Sequence, residues 1–487
     1  MSKPKSLSRK IIGLVHGVFD VVHAGHILHF EEAKSKVNKL IASVTSDKFV
    51  NKAPGKPVFN AKLRIKFLKS LKFFDDVILS DAETAIESIK KIKPNIYFKG
   101  KDYFYDKNMT ENLKKEIREV KKFGGHVYFT NTPVFSSSKI LNEKFGFIDD
   151  KVKNFLKFIN VQKIKNKILK LKKTKYKVIN IGDPIIDVYR YVTTSGKANK
   201  SSVISTQFLE KEEFGGGSIL ISKILSAYFE KAKDFFYLDK PSVKKLHALL
   251  PKKKKLILNG KNKIIEKIRY LEKYTMQKLF QNTINENFEL DKKDILKLRS
   301  KVEQVIKNFD YIFFYDYGYI YKNIFTNKML KKYKNKLIIN CQSNSYNFGF
   351  NLASKYDHAL ILCMDEVEFR LTFQNKKDTV TAMMLKNKYK FKNIKYLIVT
   401  CGKHGCFTLY KNKVYFSPSV FKDLKDTTGC GDVFLATFGM LEISGNFDVY
   451  EKMLISHIAA GVHGDQIGNN FVVGQDRLKK VCDNIIK

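Results

Sequence analysis

His16-Gly17-Val18-Phe19-Asp20-Val21-Val22-His23-Ala24-Gly25-His26 is the stretch from which the fold of the N-terminal part of this chain is read. It lies where a predicted strand, Ile11–Val15, passes into a predicted helix, His26–Val37. A helix N-terminus exposes unpaired N–H groups and a partial positive charge, so it is a ready site for phosphate. Gly25 lets the backbone approach a phosphate closely. His23 and His26 beside it can donate to phosphate oxygens and stabilise charge building on a pentavalent phosphorus. Four of the ten histidines (His16, His23, His26 and His29) fall between residues 16 and 29. A His-x-x-His-x-x-His metal cluster is the alternative reading. His29 lies one helical turn beyond His26 and is read as structural.

Outward from this stretch, strand and helix alternate. The strands are Leu40–Thr45, Asp76–Leu79, Ile96–Lys99 and His126–Phe129; the helices are Ala61–Ser70, Glu83–Ile92 and Glu111–Phe123. That alternation implies a parallel sheet with crossover helices, over residues 10–148. Such sheets bind ligands beyond the carboxyl ends of their strands. Residues 149–176 are lysine-rich, with Val152, Phe155, Ile159, Ile164, Ile168 and Leu171 at helical spacing, and predict a linker helix. A second start follows at Val178–Ile181, and residues 177–487 read as one large α/β domain.

A second phosphate signal lies there: Asp426-Thr427-Thr428-Gly429-Cys430-Gly431-Asp432, before the apolar stretch Val433–Met440. Glycines at a helix mouth expose N–H groups that can hold the anion formed as a γ-phosphate transfers. A carboxylate at Asp432 can take the proton of an attacking hydroxyl. A plain helix cap is the bland alternative.

Composition bounds the rest. At 487 residues, two or three domains are expected, and 44% hydrophobic residues suffice for a core in each. The segment Met1–Lys10 is polar and basic, without a signal-peptide pattern, and no run reaches the ~20 apolar residues of a membrane helix. Six scattered cysteines match neither a zinc knuckle nor a redox pair. A cytoplasmic protein without membrane insertion is expected. The net charge of +42 comes from lysines spread along the whole chain without a nucleic-acid-binding motif. A lysine-rich solvent face is therefore preferred to a basic nucleic-acid-binding protein, and no nucleic-acid partner is expected.

Residues 11–141 resemble the cytidylyltransferase-like nucleotidyltransferases, most closely the adenylyltransferase half of the bifunctional heptose kinase/heptose-phosphate adenylyltransferases. The matching pieces are His16 to Asp20, His23-Ala24-Gly25-His26, Ser46-Asp47, Pro57-Val58 with Arg64, Lys99-Gly100-Lys101-Asp102-Tyr103 and Phe135-Ser136-Ser137-Ser138-Lys139-Ile140. The resemblance implies a Rossmann-like domain. It makes His23 and His26 catalytic contacts to the triphosphate. It places Gly17, Phe19, Asp20, Gly25, Arg64, Lys99, Gly100, Ser136, Ser137 and Ser138 around the nucleotide. A further phosphate-binding lysine is one of Lys48, Lys52 and Lys56. Asn131 stands where the glycerol-phosphate branch carries an arginine.

Residues 177–487 resemble the ribokinase-like, PfkB-type carbohydrate kinases, again nearest the heptose kinases. The matches are Gly182-Asp183-Pro184-Ile185-Ile186-Asp187-Val188-Tyr189, Gly215-Gly216-Gly217, Asp316-Tyr317-Gly318, Asp365-Glu366, Val399-Thr400-Cys401-Gly402-Lys403-His404-Gly405 and the Asp426–Asp432 motif. The resemblance implies a ribokinase-like α/β fold. It makes Asp432 the base, and Thr428, Gly429, Cys430 and Gly431 the anion hole. Thr400, Gly402 and Gly405 fall at the nucleotide, Asp187, Gly216 and Gly217 at the sugar, and Glu366 at Mg²⁺, indirectly. Ile219, Cys363 and Tyr319 depart from the usual Asn, Asn and Lys, Cys430 replaces Ala, and Asn340–Asn347 is a polar stretch that heptose kinases lack. A site that loses hydroxyl partners discriminates against the old substrate, so a different sugar or polyol is expected.

The joint expectation is a bifunctional enzyme. ATP and Mg²⁺ would phosphorylate a sugar, and ATP or CTP would supply a nucleotidyl group to a sugar phosphate, giving an activated sugar for surface polysaccharide. The kinase precedes the transferase in the heptose enzymes; here the order is reversed. Ribokinase-like domains often pair, so a homodimer is an expectation. The rival is a nucleotidyltransferase with a degenerate, sugar-binding kinase domain.

Overall fold

The computed structural model describes residues 11–50, 57–101, 110–131, 150–198, 200–250, 255–286, 290–345, 347–421, 424–469 and 472–485. It divides into two units, residues 1–147 with 483–487, and residues 148–482.

In the first unit, β1 (Ile12–Gly17), α1 (Ala24–Ser35), β2 (Lys39–Thr45), α2 (Ala61–Lys69), β3 (Asp76–Ser80), α3 (Ile86–Ile92), β4 (Ile96–Gly100), α4 (Glu111–Lys122) and β5 (His126–Thr130) follow in turn. The sheet order is β3-β2-β1-β4-β5, and every pairing is parallel. Alternation along β1 sends Val15 to one face with Phe30, Leu40, Val44, Leu68 and Phe98, and Leu14 to the other with Ile89, Tyr97 and Val120. Side chains cap the helices that flank the sheet: Asn60 accepts from Leu63 N, and Thr110 from Leu113 N. The strand order reverses between β1 and β4, so the ends of these two strands flank the crevice where such sheets take ligands.

Residues 149–176 were expected to form one linker helix. The described part forms two, α5 (Asp150–Lys157) and α6 (Val161–Leu169), because Asn160 caps a second start by accepting from Lys163 N. Their apolar residues, Val152, Phe155, Ile164 and Ile168, are buried within the second unit.

The second unit continues with β6 (Thr174–Gly182), β7 (Pro184–Lys197), β8 (Ile204–Gly217), α7 (Ser218–Tyr228), β9 (Phe229–Leu238), α8 (Lys240–Leu249), β10 (Lys255–Asn259), β11 (Ile265–Glu272) and β12 (Lys278–Ile284). Then come α9 (Lys292–Ile306), β13 (Tyr311–Asp316), α10 (Asn327–Tyr333), β14 (Leu337–Cys341), β15 (His358–Asp365), α11 (Glu366–Phe373), α12 (Val380–Asn387) and β16 (Asn393–Thr400). β17 (Cys406–Tyr410), β18 (Lys413–Ser417), α13 (Cys430–Ser444), α14 (Val449–Gly464) and α15 (Gln475–Ile485) complete it. Nine strands form the main sheet in the order β10-β9-β6-β13-β14-β15-β16-β17-β18, parallel from β10 to β16 and antiparallel beyond. The inner strands are unbroken apolar runs such as Ile312–Tyr315, as expected of a sheet covered on both faces. α13 is buried on nearly every side; at Gly439 a β-carbon would meet Phe313 of the sheet at 2.8 Å. A second sheet, β12-β11-β7-β8, starts where the chain leaves β6 at Gly182 and turns into β7 at Pro184.

Candidate active sites

The first site forms at the carboxyl end of β1. Phe19 takes a left-handed backbone, φ 48°, which is costly for a bulky residue and is found where surrounding structure enforces it. Its ring packs edge-on against Phe30, with centroids 5.3 Å apart, and against His26 at 5.9 Å. This turn delivers the chain to His23, the N-cap of α1. The His23 N–H meets His26 Nδ1 at 3.4 Å, and the two imidazoles lie 4.1 Å apart at the helix mouth. Gly17 precedes the turn, and a β-carbon there would touch the Phe19 ring at 3.1 Å. Gly25 is buried in the first turn of α1.

The histidines do not gather on a metal: among the described residues no group of three or more His, Cys, Asp or Glu could hold one. His29 instead meets Thr130 Oγ1 at 2.7 Å, at the end of β5. His16 reaches Ser43 and Thr45 on β2, at 3.1 and 3.4 Å. Burial, with the nearby Lys99 ammonium, pushes both His16 and His29 down to about 4, so both are neutral at pH 7. Lys99, at the end of β4 before Gly100, faces Glu116 at 3.4 Å. Burial would raise the Glu116 carboxyl, but Lys99, the Ala85 N–H and the Tyr97 hydroxyl hold it below its usual range.

Two residues expected at the phosphates are committed elsewhere. Arg64 is fully buried. It donates to the carbonyls of Phe59, Val18 and Thr45 and pairs with Asp47, so it ties the β1 turn, the end of β2 and the start of α2 together. Asp20 accepts from the N–H groups of Val58 and Phe59, at 2.8 and 3.0 Å. Both build the site from behind. Lys48 pairs with Asp81. Lys52, Lys56, Ser136, Ser137 and Ser138 lie outside the described residues.

The second site forms at the mouth of α13. Gly429 is its N-cap with φ 78°, and a β-carbon there would meet Leu220 Cδ2 at 2.7 Å and Asn469 Oδ1 at 3.0 Å. At Gly431 a β-carbon would meet nothing within 4 Å, so this stretch of backbone faces open space. The Cys430 thiol lies 3.4 Å from the Ala460 carbonyl, and burial pushes it up to about 12. Asp432, one turn into the helix, is 6% exposed and accepts at Oδ1 from Asn340 Nδ2 at 2.9 Å and Gln342 Nε2 at 3.0 Å. Burial pushes its carboxyl up to about 7, against the hydrogen bonds of Tyr317 and Asn340 that pull it down.

Asp187 stands on β7 against Gly216 of β8; a β-carbon at Gly216 would overlap Asp187 Oδ2 at 1.9 Å. Gly217 has φ 52° and closely approaches the Asp183 carbonyl. Both Asp187 oxygens are engaged: Oδ1 by Arg269 of β11, Oδ2 by Asn469 Nδ2 at 2.6 Å. Asn469 Oδ1 meets His463 Nε2 at 3.1 Å, and the same nitrogen meets the Thr428 carbonyl at 3.1 Å. Both partners are acceptors, so Nε2 carries the proton. His463 therefore donates both to the anion loop at Thr428 and to Asn469, which in turn donates to Asp187. The second sheet also grips the motif directly, since Lys278 and Tyr189 bond the Asp426 carboxylate. Tyr189 closes the opening-strand motif read in the sequence, whereas Arg269, Asn469, His463 and Lys278 went unread because no local pattern marks them.

The Asp365-Glu366 segment opens α11. Glu366 pairs with Arg370 on its own helix, at 2.7 Å. The buried carboxylate is Glu368, which accepts from Ser343 N and Asp365 N, each at 2.7 Å. Burial, the Asp365 carboxylate and the Asp432 charge all raise its pKa. The readable signal was capping: Asp365 is the N-cap of α11 and Glu368 its N3 partner. Asp365 pairs in register with Thr400, beside the turn through Gly402 (φ 52°) and Gly405 (φ 111°). Few carboxylates close to a phosphate site suit Mg²⁺, which takes one or two carboxylates and completes its shell with waters and substrate oxygens. Ile219 is packed in the apolar cluster with Ile186, Val188 and Phe236, which explains an aliphatic residue there.

These two sites are those of transferases of two classes. The chain belongs to the cytidylyltransferase-like family through residues 14–143, and residues 287–439 match the pfkB family of carbohydrate kinases. The N-terminal part is 36% identical over 114 residues to FAD synthase of Pyrococcus horikoshii, covering 23% of this chain and 75% of that protein. It is 34% identical over 135 residues to bifunctional protein HldE of Methylobacillus flagellatus, covering 27% of this chain and only 26% of that protein. Phosphofructokinase-2 of Escherichia coli shares the second unit's fold, with a TM-score of 0.50 and 11% identity over 64% of this chain and 100% of its own. No helix among the described residues is long and apolar enough to cross a membrane.

Proposed function

We propose that the second unit phosphorylates a sugar or polyol with ATP, and that the first transfers a nucleotidyl group from ATP or CTP to a phosphomonoester, giving an activated sugar for surface polysaccharide in the cytoplasm. The carrying observation is Asp432: a buried carboxylate one turn inside a glycine-opened helix mouth, held by two amides. A general base is most useful when its pKa lies near the working pH, and Asp432 is raised toward neutrality. The hydroxyl proton goes to Asp432, the alkoxide oxygen attacks the γ-phosphorus, and ADP leaves. The N–H groups of Gly429 to Gly431 receive the charge that develops. Mg²⁺ bound near Glu368 and Asp365 would neutralise phosphate charge.

In the first unit a phosphomonoester oxygen attacks the α-phosphorus and pyrophosphate leaves. His23 and His26 at the mouth of α1 stabilise that charge, and the helix orients the chain of phosphates. Little else is asked of the protein in such transfers. The identity to FAD synthase favours a second acceptor class, a phosphomonoester other than a sugar phosphate. The test incubates the protein with ATP, CTP and Mg²⁺, alone and with sugars, polyols, their phosphates and flavin mononucleotide. Release of ADP with a sugar and of pyrophosphate with a phosphomonoester is expected. Pyrophosphate release without any ADP would favour a degenerate kinase domain. Neither release with any acceptor would refute the reading.

A further inference from the structure

The end of β14 and the polar stretch that follows it hold the carboxylates of the second site with closely spaced residues. Asn340 and Gln342 donate to the same oxygen of Asp432, while the next residue, Ser343, donates its N–H to Glu368. Asn340 is buried and Gln342 half-buried. The loop is pinned in turn: Asn344 and Asn347 donate to the Tyr317 carbonyl, and Asn351 to the Gln342 carbonyl. A loop braced in this way fixes where its two amides point.

The geometry points to Asn340 and Gln342 as positioning residues that lock Asp432 Oδ1, orient the carboxylate and leave Oδ2 as the oxygen that receives the substrate proton. This rests on the kinase reading above. Amide donors favour the ionised form of a carboxylate, so the pair also keeps Asp432 competent as a base inside an apolar helix mouth. The groups that face Asp432 are Lys267 of β11, Asp187 of β7, Tyr315 and Tyr317 at the end of β13, Cys363 of β15, Glu368 of α11 and Cys430 of its own helix. The Tyr317 hydroxyl and Lys267 act with the amides, and Asp187 and Glu368 act against them.

The experiment is the pH profile of kcat/KM for sugar phosphorylation in wild type, Gln342→Met and Gln342→Glu. Methionine keeps the length and removes the donor; glutamate adds a repelling charge. The acid limb is expected to move upward in Gln342→Met by about one pH unit, a roughly tenfold loss on that limb that is recovered as pH rises. It is expected to move further in Gln342→Glu. A loss of equal size at every pH, or an unmoved limb, would overturn the proposal. A second readout needs no turnover: the ¹³C-carboxyl titration of Asp432 in the full chain, assigned with Asp432→Asn. It should shift upward in both variants, and coincidence with wild type would overturn the proposal. If wild type phosphorylates nothing while the titration shifts, the kinase reading fails and the positioning role stands.

Discussion

Arg64 shows how a single buried residue can brace the mouth of a helix from behind. Its guanidinium joins three carbonyls and Asp47 from segments that are distant in sequence. Removing one partner of such a buried, charge-assisted cluster leaves its acceptors unpaired. Arg64→Met should therefore destabilise the first unit by about 3–5 kcal/mol, read as a fall in the denaturant midpoint, with loss of nucleotidyl transfer. His16 and His29 make a separate prediction. Both have folded pKa values depressed to about 4 from 6.5. The unfolded chain therefore binds more protons as pH falls from 6.5 towards 4, and stability is present above 6.5 and lost through that window. Melting temperature should drop steeply there. His16→Gln and His29→Gln should flatten the drop, and an unchanged slope would show that other groups dominate.

At the scale of elements, the two helix mouths that the proposed chemistry uses were both legible in sequence. α1 opens after a turn that needs a strained Phe19, and α13 opens on Gly429 in a left-handed backbone. Gly429→Ala adds a β-carbon against Leu220, Asn469 and His463 at a φ that disfavours any side chain. Sugar-dependent ADP release should fall at least about a hundredfold, the scale of losing an oxyanion donor, while pyrophosphate release persists. The strands flanking these mouths were readable because parallel sheets bury both faces and so read as apolar runs between helical periods. The linker was misjudged because apolar spacing continues across Asn160, and only the cap reveals the break.

For the whole molecule, the separate cores of the two units make their activities independently removable. His26→Ala should abolish pyrophosphate release and leave sugar-dependent ADP release within about twofold. Asp432→Asn should do the reverse, with kinase turnover down by about 10²–10⁴-fold. Parallel assays on each variant check this, and loss of both activities in either variant would refute independence. The charge of +42 is not concentrated in either motif and gives the surface a field that attracts phosphorylated substrates.

The sequence alone determined the parallel sheet of the first unit and the order of its elements, the α/β class of the second, and the two glycine-bearing helix mouths. Each of these rests on local periodicity, turn chemistry and short motifs. Only the tertiary structure decided which side chains face those mouths. It turned Arg64 and Asp20 into braces, buried Glu368 while Glu366 pairs with Arg370, and brought Asn340 and Gln342 to Asp432 across 92 and 90 positions of chain. The physical reason is burial: whether a polar group contacts substrate or holds the protein together depends on which distant acceptors packing leaves it.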